Sequence, residues 1–198
     1  MYCKKSAIII SMSSPIYIAF FKPYGILSQF TSDNPLETLS NFNLPKDVYP
    51  CGRLDKDSEG LLILSNDGTF IDQLLNPKFD KEKTYWVQVE NIPTEESLNI
   101  IRRGGMAIQE YKTKPGQIKI LDPQPLIPER SPPVRFRKTI PTCWLEIKIS
   151  EGKNRQVRRM TAGINHPTLR LIRMQVGKQK LVDLLPGQWI EIKKNDIL

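Results

Sequence analysis

Apolar and polar residues alternate over several stretches of this chain of 198 residues. In segments 85–90 and 145–149, every second residue is Tyr, Val, Leu or Ile. Because successive side chains of a β-strand point to opposite faces, this spacing predicts strands with one buried face. Segment 15–21 is apolar and β-prone, and segments 117–121 and 188–192 have the character of shorter strands. The pattern favours an antiparallel sheet with one face in the core.

Three helices are predicted between these strands. Thr94 is a suitable N-cap for a helix that Gly104 closes, and a shorter helix starts at Thr69 and stops at Asn76, before a proline. A third helix begins near Asn154, and its apolar residues recur at i, i+3 and i+7 and should face the core: Val157, Met160 and Ile164. Strands and helices together indicate an α+β fold around a mainly antiparallel sheet.

Positive charge is concentrated in one part of the chain. The formal net charge is +8, and segment 130–173 contains eleven Lys or Arg against two acids, Glu146 and Glu151. Eight of those eleven are arginines, which suit two-point contact with phosphate better than lysines do. A basic block in an otherwise balanced domain indicates a polyanion site, and nucleic acid is favoured over a solvated surface.

Several kinds of active site are disfavoured by the residues available. The three cysteines are too few and too widely separated for a disulfide framework or a zinc site, and the single histidine, His166, has no partner at metal-ligand spacing. No nucleophile elbow, phosphate-binding loop or dinucleotide fingerprint is present. The apolar runs are too short to cross a bilayer. Any chemistry is therefore expected to rest on carboxylates, tyrosines and arginines, with no metal.

Segment 52–62 is the densest candidate for such chemistry, because a short polar cluster leads directly into an apolar strand and then into the turn at 66–68. Such a loop would hold its polar side chains rigidly against a sheet. An ordinary hydrophilic loop explains the same residues. Similarly, segment 155–159 also fits a solvated helix face, and Tyr85 also fits a core position.

Taken together, segments along the chain resemble the small-subunit rRNA (RsuA-like) family of pseudouridine synthases. They occur in the order found in that family: 22–25, 52–68, 83–85, and 151–160 followed by 169–177. Segment 129–137, with 143–145, resembles a subgroup that acts on the large ribosomal subunit. The resemblance implies the pseudouridine synthase catalytic fold, a bent and mainly antiparallel sheet flanked by helices and loops.

The resemblance also implies a reaction that needs no cofactor. The C1′–N1 bond of a uridine in RNA is broken, the base turns, and C5 is joined to C1′. By motif, Asp55 is the catalytic carboxylate and Arg158 is the arginine that pairs with it. Tyr85 stacks on the target base, with its hydroxyl available for the C5 step. Leu171 packs beside the base.

The target base must leave its stack to react, and contacts to phosphate must offset that cost. Residues expected to bind the RNA are Lys22, Lys83, Arg155, Arg159 and Arg173. Arg53 is expected to fill the vacated position in the stack. A local salt bridge from Arg53 to Asp57 or Glu59 explains that arginine equally well.

Residues 1–14 are expected to be a flexible tail, and residues 15–198 a catalytic domain without the S4 RNA-binding domain that relatives often carry. The expected partner is ribosomal RNA, either 23S rRNA or a precursor particle. A cytoplasmic monomer that does not associate with membranes is expected.

Two other functions remain open from the sequence. A non-catalytic rRNA-binding or assembly protein would explain the basic block, but not the joint occurrence of Asp55, Tyr85 and Arg158. A glycosidase could use Asp55 and Asp57 as its carboxylate pair, since residues two apart on a strand share a face. The basic block argues against a neutral sugar as substrate.

Overall fold

The computed structural model describes residues 14–134 and 139–198. The strands in these ranges are β1 (Tyr17–Lys22), β2 (Tyr49–Pro50), β3 (Glu59–Ser65), β4 (Lys83–Glu90), β5 (Ala107–Ile108), β6 (Tyr111–Lys112), β7 (Gln117–Ile120), β8 (Thr142–Ile149), β9 (Thr168–Val176), β10 (Gln179–Lys180) and β11 (Trp189–Glu191). The α-helices there are α1 (Gly68–Leu75), α2 (Glu95–Arg103) and α3 (Gln156–Gly163). Short 3₁₀ helices lie at Pro35–Glu37, Leu39–Phe42, Pro77–Phe79 and Lys194–Asp196.

Most strands of the described chain join one mixed sheet in the order β11-β1-β3-β9-β4-β8-β7, with β2 paired to β3 and β10 paired to β9. Strands β5 and β6 form a separate hairpin. The pairings in the large sheet are antiparallel except that of β3 with β9. The predicted α+β class with a mainly antiparallel sheet is confirmed.

The alternation of apolar and polar residues in β4 and β8 buries one face of these strands, as predicted. Val87 pairs with Leu145 and Tyr85 with Ile147, and all four side chains are buried on the face that packs against α2 and α3. Strand β3 behaves differently, because all seven of its residues are buried. Leu61 and Ile63 enter one apolar cluster and Leu62 and Leu64 enter another on the opposite face of the sheet, so a continuous apolar run replaces the alternation.

The helices begin close to their predicted positions. Helix α2 is capped by Thr94 and ends at Gly104, as predicted. Helix α1 begins at Gly68 rather than Thr69, because the side chain of Asp67 accepts a hydrogen bond from the Phe70 N–H at 3.0 Å. Helix α3 begins at Gln156, two residues later than predicted. The predicted core residues of this third helix, Val157, Met160 and Ile164, are buried.

The parallel pairing of β3 with β9 joins the two halves of the sheet. Gly60 lies opposite Arg173 in this pairing and has a φ of +104°. A Cβ atom on Gly60 would lie 2.6 Å from the Arg173 nitrogen, so only glycine permits the close approach. The loop that precedes β3 is thereby brought next to β9.

Beside this junction, Glu59 and Arg170 form a buried ion pair. Both carboxylate oxygens of Glu59 accept hydrogen bonds of 2.8 Å, from Nε and Nη2 of Arg170. Their side chains are only 2% and 7% exposed. Arg170 also donates to the Pro128 carbonyl at 2.8 Å, which ties the segment between β7 and β8 to the sheet. Arg170 therefore serves the fold.

Replacing Glu59 with Gln is expected to destabilise the protein by about 3–5 kcal/mol, because the guanidinium of Arg170 would remain buried without its counter-charge. Urea unfolding followed by circular dichroism measures the change. Lys119→Gln is the control, since it removes a 3.4 Å ion pair with Glu146 in which the lysine side chain is 64% exposed. That substitution should cost less than about 1 kcal/mol. Equal losses for the two variants would contradict a special role for the buried pair.

Parts of the sequence predictions fall outside the described residues. They are the tail, apart from Ser14, and residues 135–137 of the segment that resembles the large-subunit subgroup. In the ranges 14–134 and 139–198, no helix is long and apolar enough to cross a membrane. The same ranges contain no cluster of three His, Cys, Asp or Glu side chains placed to hold a metal ion.

Candidate active site

A cavity of about 1060 Å³ lies beside the junction of β3 and β9. Its walls come from the loop 51–58, the start of β4, strand β9 and the loop that leads into α3. Seven of the ten predicted site residues line it: Arg53, Asp55, Lys83, Tyr85, Arg155, Leu171 and Arg173. The fold therefore brings seven of the predicted residues, from segments far apart in sequence, to one cavity.

The loop that carries Asp55 is fixed by buried hydrogen bonds. The Ser28 hydroxyl donates to the Leu54 carbonyl at 2.9 Å and accepts from the Leu54 N–H at 3.0 Å. The Ser58 N–H donates to the Asp55 carbonyl at 3.0 Å and closes a turn. Asp55 follows directly on the anchored Leu54, and its side chain is 33% exposed. Its carboxylate is therefore held at the cavity wall while remaining accessible to a ligand.

Arg155 spans the two carboxylates of this loop. Its Nη1 and Nη2 atoms donate to the two oxygens of Asp57 at 2.9 and 2.8 Å, which is a bidentate pair. The same Nη1 lies 3.4 Å from Oδ2 of Asp55. Asp57 therefore takes the stronger contact, and Asp55 receives a single long one.

Arg158 does not make the ion pair that the resemblance implied. Its Nη2 donates to the Asp57 carbonyl oxygen at 2.6 Å, and its Nε lies 3.5 Å from Oδ2 of Asp57. In this structure the ion pair to Asp55 comes from Arg155. The ion pair between Arg158 and Asp55 that the resemblance implied is therefore not formed in this structure. Because Asp57 lies two residues beyond Asp55, Arg158 instead fixes the main chain of the loop that carries Asp55.

The electrostatics of this cluster follow from those contacts. Burial acts to raise the pKa of Asp57, but hydrogen bonds from Arg155 and the charges of both arginines outweigh it and leave that pKa below its usual value. Burial lowers the pKa of Arg158, although Asp57 acts in the opposite direction. Asp57 is thus stabilised as an anion, and it is unsuited to act as a general acid. This argues against the glycosidase pair, as does the position of both aspartates in a loop rather than on a strand.

Tyr85 and Leu171 form an apolar floor in the cavity. They lie on the adjacent strands β4 and β9, with 7% and 5% of their surfaces exposed, and both belong to the same buried cluster. Strand pairing on one side and core packing on the other restrict the Tyr85 ring to its orientation. A planar base entering beside Asp55 would therefore meet a fixed aromatic surface.

Lys83 and Arg173 supply positive charge to the cavity lining. Lys83 donates through Nζ to the carbonyls of Lys81 at 2.9 Å and Ser150 at 3.4 Å. Burial and the charge of Arg173 lower the pKa of Lys83 to about 8. Arg173 donates through Nε to the Leu61 carbonyl at 2.7 Å. Both residues are held by hydrogen bonds to main-chain carbonyls and line the cavity.

Two predicted RNA-binding residues are not in the cavity lining. Lys22 is fully buried and donates to the carbonyls of Pro23 at 2.9 Å and Ile26 at 2.6 Å, and burial lowers its pKa to about 7. Its expected RNA contact is therefore replaced by a structural role. Arg159 on α3 donates to the side chain of Asn154, which precedes the helix, at 3.2 Å, and Arg159 does not line the cavity.

Arg53 lies at the exposed rim of the cavity, where Nη2 donates to the Gln29 side chain at 3.2 Å. The alternative salt bridge from Arg53 to Asp57 or Glu59 is wrong, because those acids are engaged by Arg155 and Arg170. The predicted insertion of Arg53 into the RNA stack stays a prediction.

The cavity also contains residues that sequence reasoning did not select. Tyr111 and Lys112 of the β5–β6 hairpin line it, as does Lys153, whose Nζ lies 5.5 Å from the centre of the Tyr111 ring. Lys153 belongs to the basic block, and that charge pattern was the available signal for it. Nothing in the sequence around the hairpin indicated that it would reach the cavity.

Comparison with known proteins places this arrangement in one family. The family model for RNA pseudouridylate synthase matches residues 16–163. The ribosomal large subunit pseudouridine synthase E of Xanthomonas axonopodis pv. citri is 54% identical over 83% of this chain and 87% of that protein. The synthase of the same name from Vibrio vulnificus is 53% identical, over 92% of this chain and 77% of that protein. A crystal structure of a pseudouridylate synthase superposes with a TM-score of 0.76 at 25% identity, over 94% of this chain and 74% of that one.

Proposed function

This chain belongs to the RNA pseudouridylate synthase family, and we propose that it converts a specific uridine of large-subunit ribosomal RNA to pseudouridine, in 23S rRNA or in a precursor particle. The names of its relatives support ribosomal RNA as the substrate. The concentration of arginine between residues 130 and 173 gives independent support for a polyanionic substrate.

The reaction is an isomerisation in which the atoms balance within the nucleotide. The C1′–N1 bond breaks, the uracil turns, C5 joins C1′, and the proton lost from C5 is matched by one gained at N1. The ribose carbon needs an anion, either to bond to it or to stabilise its positive charge. The detached base needs a surface that retains it while it turns. The C5 proton needs an acceptor.

One observation carries the proposal: an accessible carboxylate on an anchored loop faces the same cavity as a fixed apolar floor. Asp55 is assigned to the ribose carbon. Tyr85 and Leu171 are assigned to the base, with the Tyr85 hydroxyl near the C5 chemistry. Arg158 is assigned to hold the loop of Asp55 through the Asp57 main chain. No cofactor is required for these roles.

The target uridine must be flipped out of its stack, which costs a few kcal/mol. We assign Lys83, Arg155 and Arg173 in the cavity, and Arg159 beside it, to contacts with the nucleotide and the adjacent phosphates. Arg53 at the rim is assigned to the gap that the flipped base leaves. We further propose that residues 15–198 act as one catalytic domain, as a monomer in the cytoplasm.

Incubation of the purified chain with 23S rRNA fragments tests the proposed function. Digestion to nucleosides and chromatography should reveal pseudouridine, with no free uracil and no new reducing sugar. Release of uracil or sugar would indicate a glycosidase instead. Tight binding without any new product would indicate an RNA-binding or assembly protein.

Lys153→Met is expected to weaken RNA binding without slowing the reaction of bound RNA. Lys153 is exposed on the cavity wall, where it can contact a phosphate but lies on a different segment from Asp55 and Tyr85. The slope of log affinity against log salt concentration should become less steep by about one, which corresponds to the loss of one phosphate contact. Filter binding between 50 and 200 mM salt measures the slope. An unchanged slope would remove Lys153 from the RNA interface.

A further inference from the structure

Asp57 is an acceptor that Arg155 and Arg158 share. Its carboxylate takes the bidentate pair from Arg155, and its main-chain oxygen takes the 2.6 Å hydrogen bond from Arg158. Asp55, two residues earlier, is left with the single 3.4 Å contact to Arg155. Arg155 therefore forms its bidentate pair with Asp57, which has no assigned part in the reaction, and not with Asp55.

The stability of the fold does not account for this arrangement. The side chains of Arg155 and Asp57 are 41% and 36% exposed, and ion pairs with such exposure contribute little to stability. Helix α3 is already anchored by the buried Val157 and Met160, and by the 2.6 Å hydrogen bond from Gln156 to Glu151.

The backbone of Arg155 is also unusual. As the N-cap of α3 it has a φ of +50° and a ψ of +29°, a left-handed conformation that is uncommon for residues other than glycine. Such conformations persist where the surroundings enforce them, and they are concentrated at functional sites. Here the conformation occurs at the residue that spans the two carboxylates.

We propose that Asp57 is a positioning residue that holds Arg155 at single-contact distance from Asp55 and prevents it from closing a bidentate pair on the catalytic carboxylate. The proposal rests on the assigned function, in which Asp55 reacts at the ribose carbon. A carboxylate engaged by both arms of a guanidinium has its oxygens oriented away from a substrate. A carboxylate with one long contact keeps an oxygen free and still has a nearby positive charge that favours its ionised form.

Asp57→Asn tests the proposal, because the amide keeps the shape of the side chain but cannot form the charged fork. The single-turnover rate of pseudouridine formation, measured on fully bound RNA, should fall about 10- to 100-fold, as expected for a misplaced catalytic group. Asp57→Glu should restore part of the rate. Glu37→Gln is the control, since it removes the ion pair between Glu37 and Lys56 of the same loop and leaves Arg155 untouched.

A double-mutant cycle distinguishes positioning from a general effect on the loop. If Asp57 acts through Arg155, then Asp57→Asn should have little further effect in an Arg155→Gln background. Additive losses would overturn the proposal, and so would a wild-type rate for Asp57→Asn.

A crystal structure of Asp57→Asn supplies a test that does not depend on activity. Both Nη atoms of Arg155 should lie within about 3 Å of the Asp55 oxygens. Arg155 remaining in its present position would overturn the proposal. This test does not require an active enzyme. If the wild-type chain formed no pseudouridine, that result would count against the proposed function and not against the positioning of Arg155.

Discussion

Replacing Asp55 with asparagine is expected to abolish pseudouridine formation while leaving the fold and the RNA affinity close to those of the wild type. The amide has nearly the same volume, and the loop is held by Ser28 and Leu54 rather than by the Asp55 side chain. The amide cannot bond to the ribose carbon or balance its charge as a carboxylate does. The single-turnover rate should fall on the order of 10⁴-fold or more.

Asp47→Asn is a matched control for that substitution. Asp47 is exposed, does not line the cavity, and has a left-handed backbone that asparagine tolerates. It should keep wild-type activity. Substantial turnover by a verified Asp55→Asn preparation, free of contaminating enzyme, would remove Asp55 from the mechanism.

Tyr85→Ala and Tyr85→Phe separate two roles of one residue. The alanine variant loses the aromatic surface, so it should lose both activity and the ~1–3 kcal/mol of binding that a base–aromatic contact provides. The phenylalanine variant keeps the ring and the packing on β4 but lacks the hydroxyl. If that hydroxyl assists proton transfer at C5, Tyr85→Phe should bind RNA normally and slow the last step about 10²- to 10⁴-fold.

The measurement is single-turnover kinetics on RNA that carries tritium at uridine C5, with binding followed in parallel. Delayed tritium release by Tyr85→Phe, with glycosidic cleavage intact, would assign the hydroxyl to the final proton transfer. Tritium release at the wild-type rate would leave Tyr85 as a stacking surface only.

Local sequence patterns predicted the elements that frame the site. The alternation in β4 and β8 arises because one face of that half of the sheet packs on helices and the other does not. The Thr94 cap and the Gly104 stop are local signals, and α2 follows them. Strand β9 was recognised only through its motif, because its two arginines interrupt the apolar pattern that would predict a strand. Both of them, Arg170 and Arg173, are buried, and no local pattern reveals that they pair with the Glu59 carboxylate and the Leu61 carbonyl.

The sequence could not show which arginine of the site pairs with which aspartate. Arg155 and Arg158 are three residues apart at the start of α3, and either could reach the loop 98 to 103 positions earlier. Which guanidinium meets which aspartate depends on where α3 begins and on the left-handed backbone of Arg155. Lys22 shows the same limitation, since its motif suggested an RNA contact while two nearby carbonyls take its ammonium group.

The most direct test of the central claim is a map of pseudouridines across all ribosomal RNA from cells with and without this gene. We expect a large-subunit uridine to lose its modification in the deletion strain. Wild-type protein should restore it, and Asp55→Asn, produced at the same level, should not. An unchanged map after deletion, or restoration by Asp55→Asn, would contradict the account.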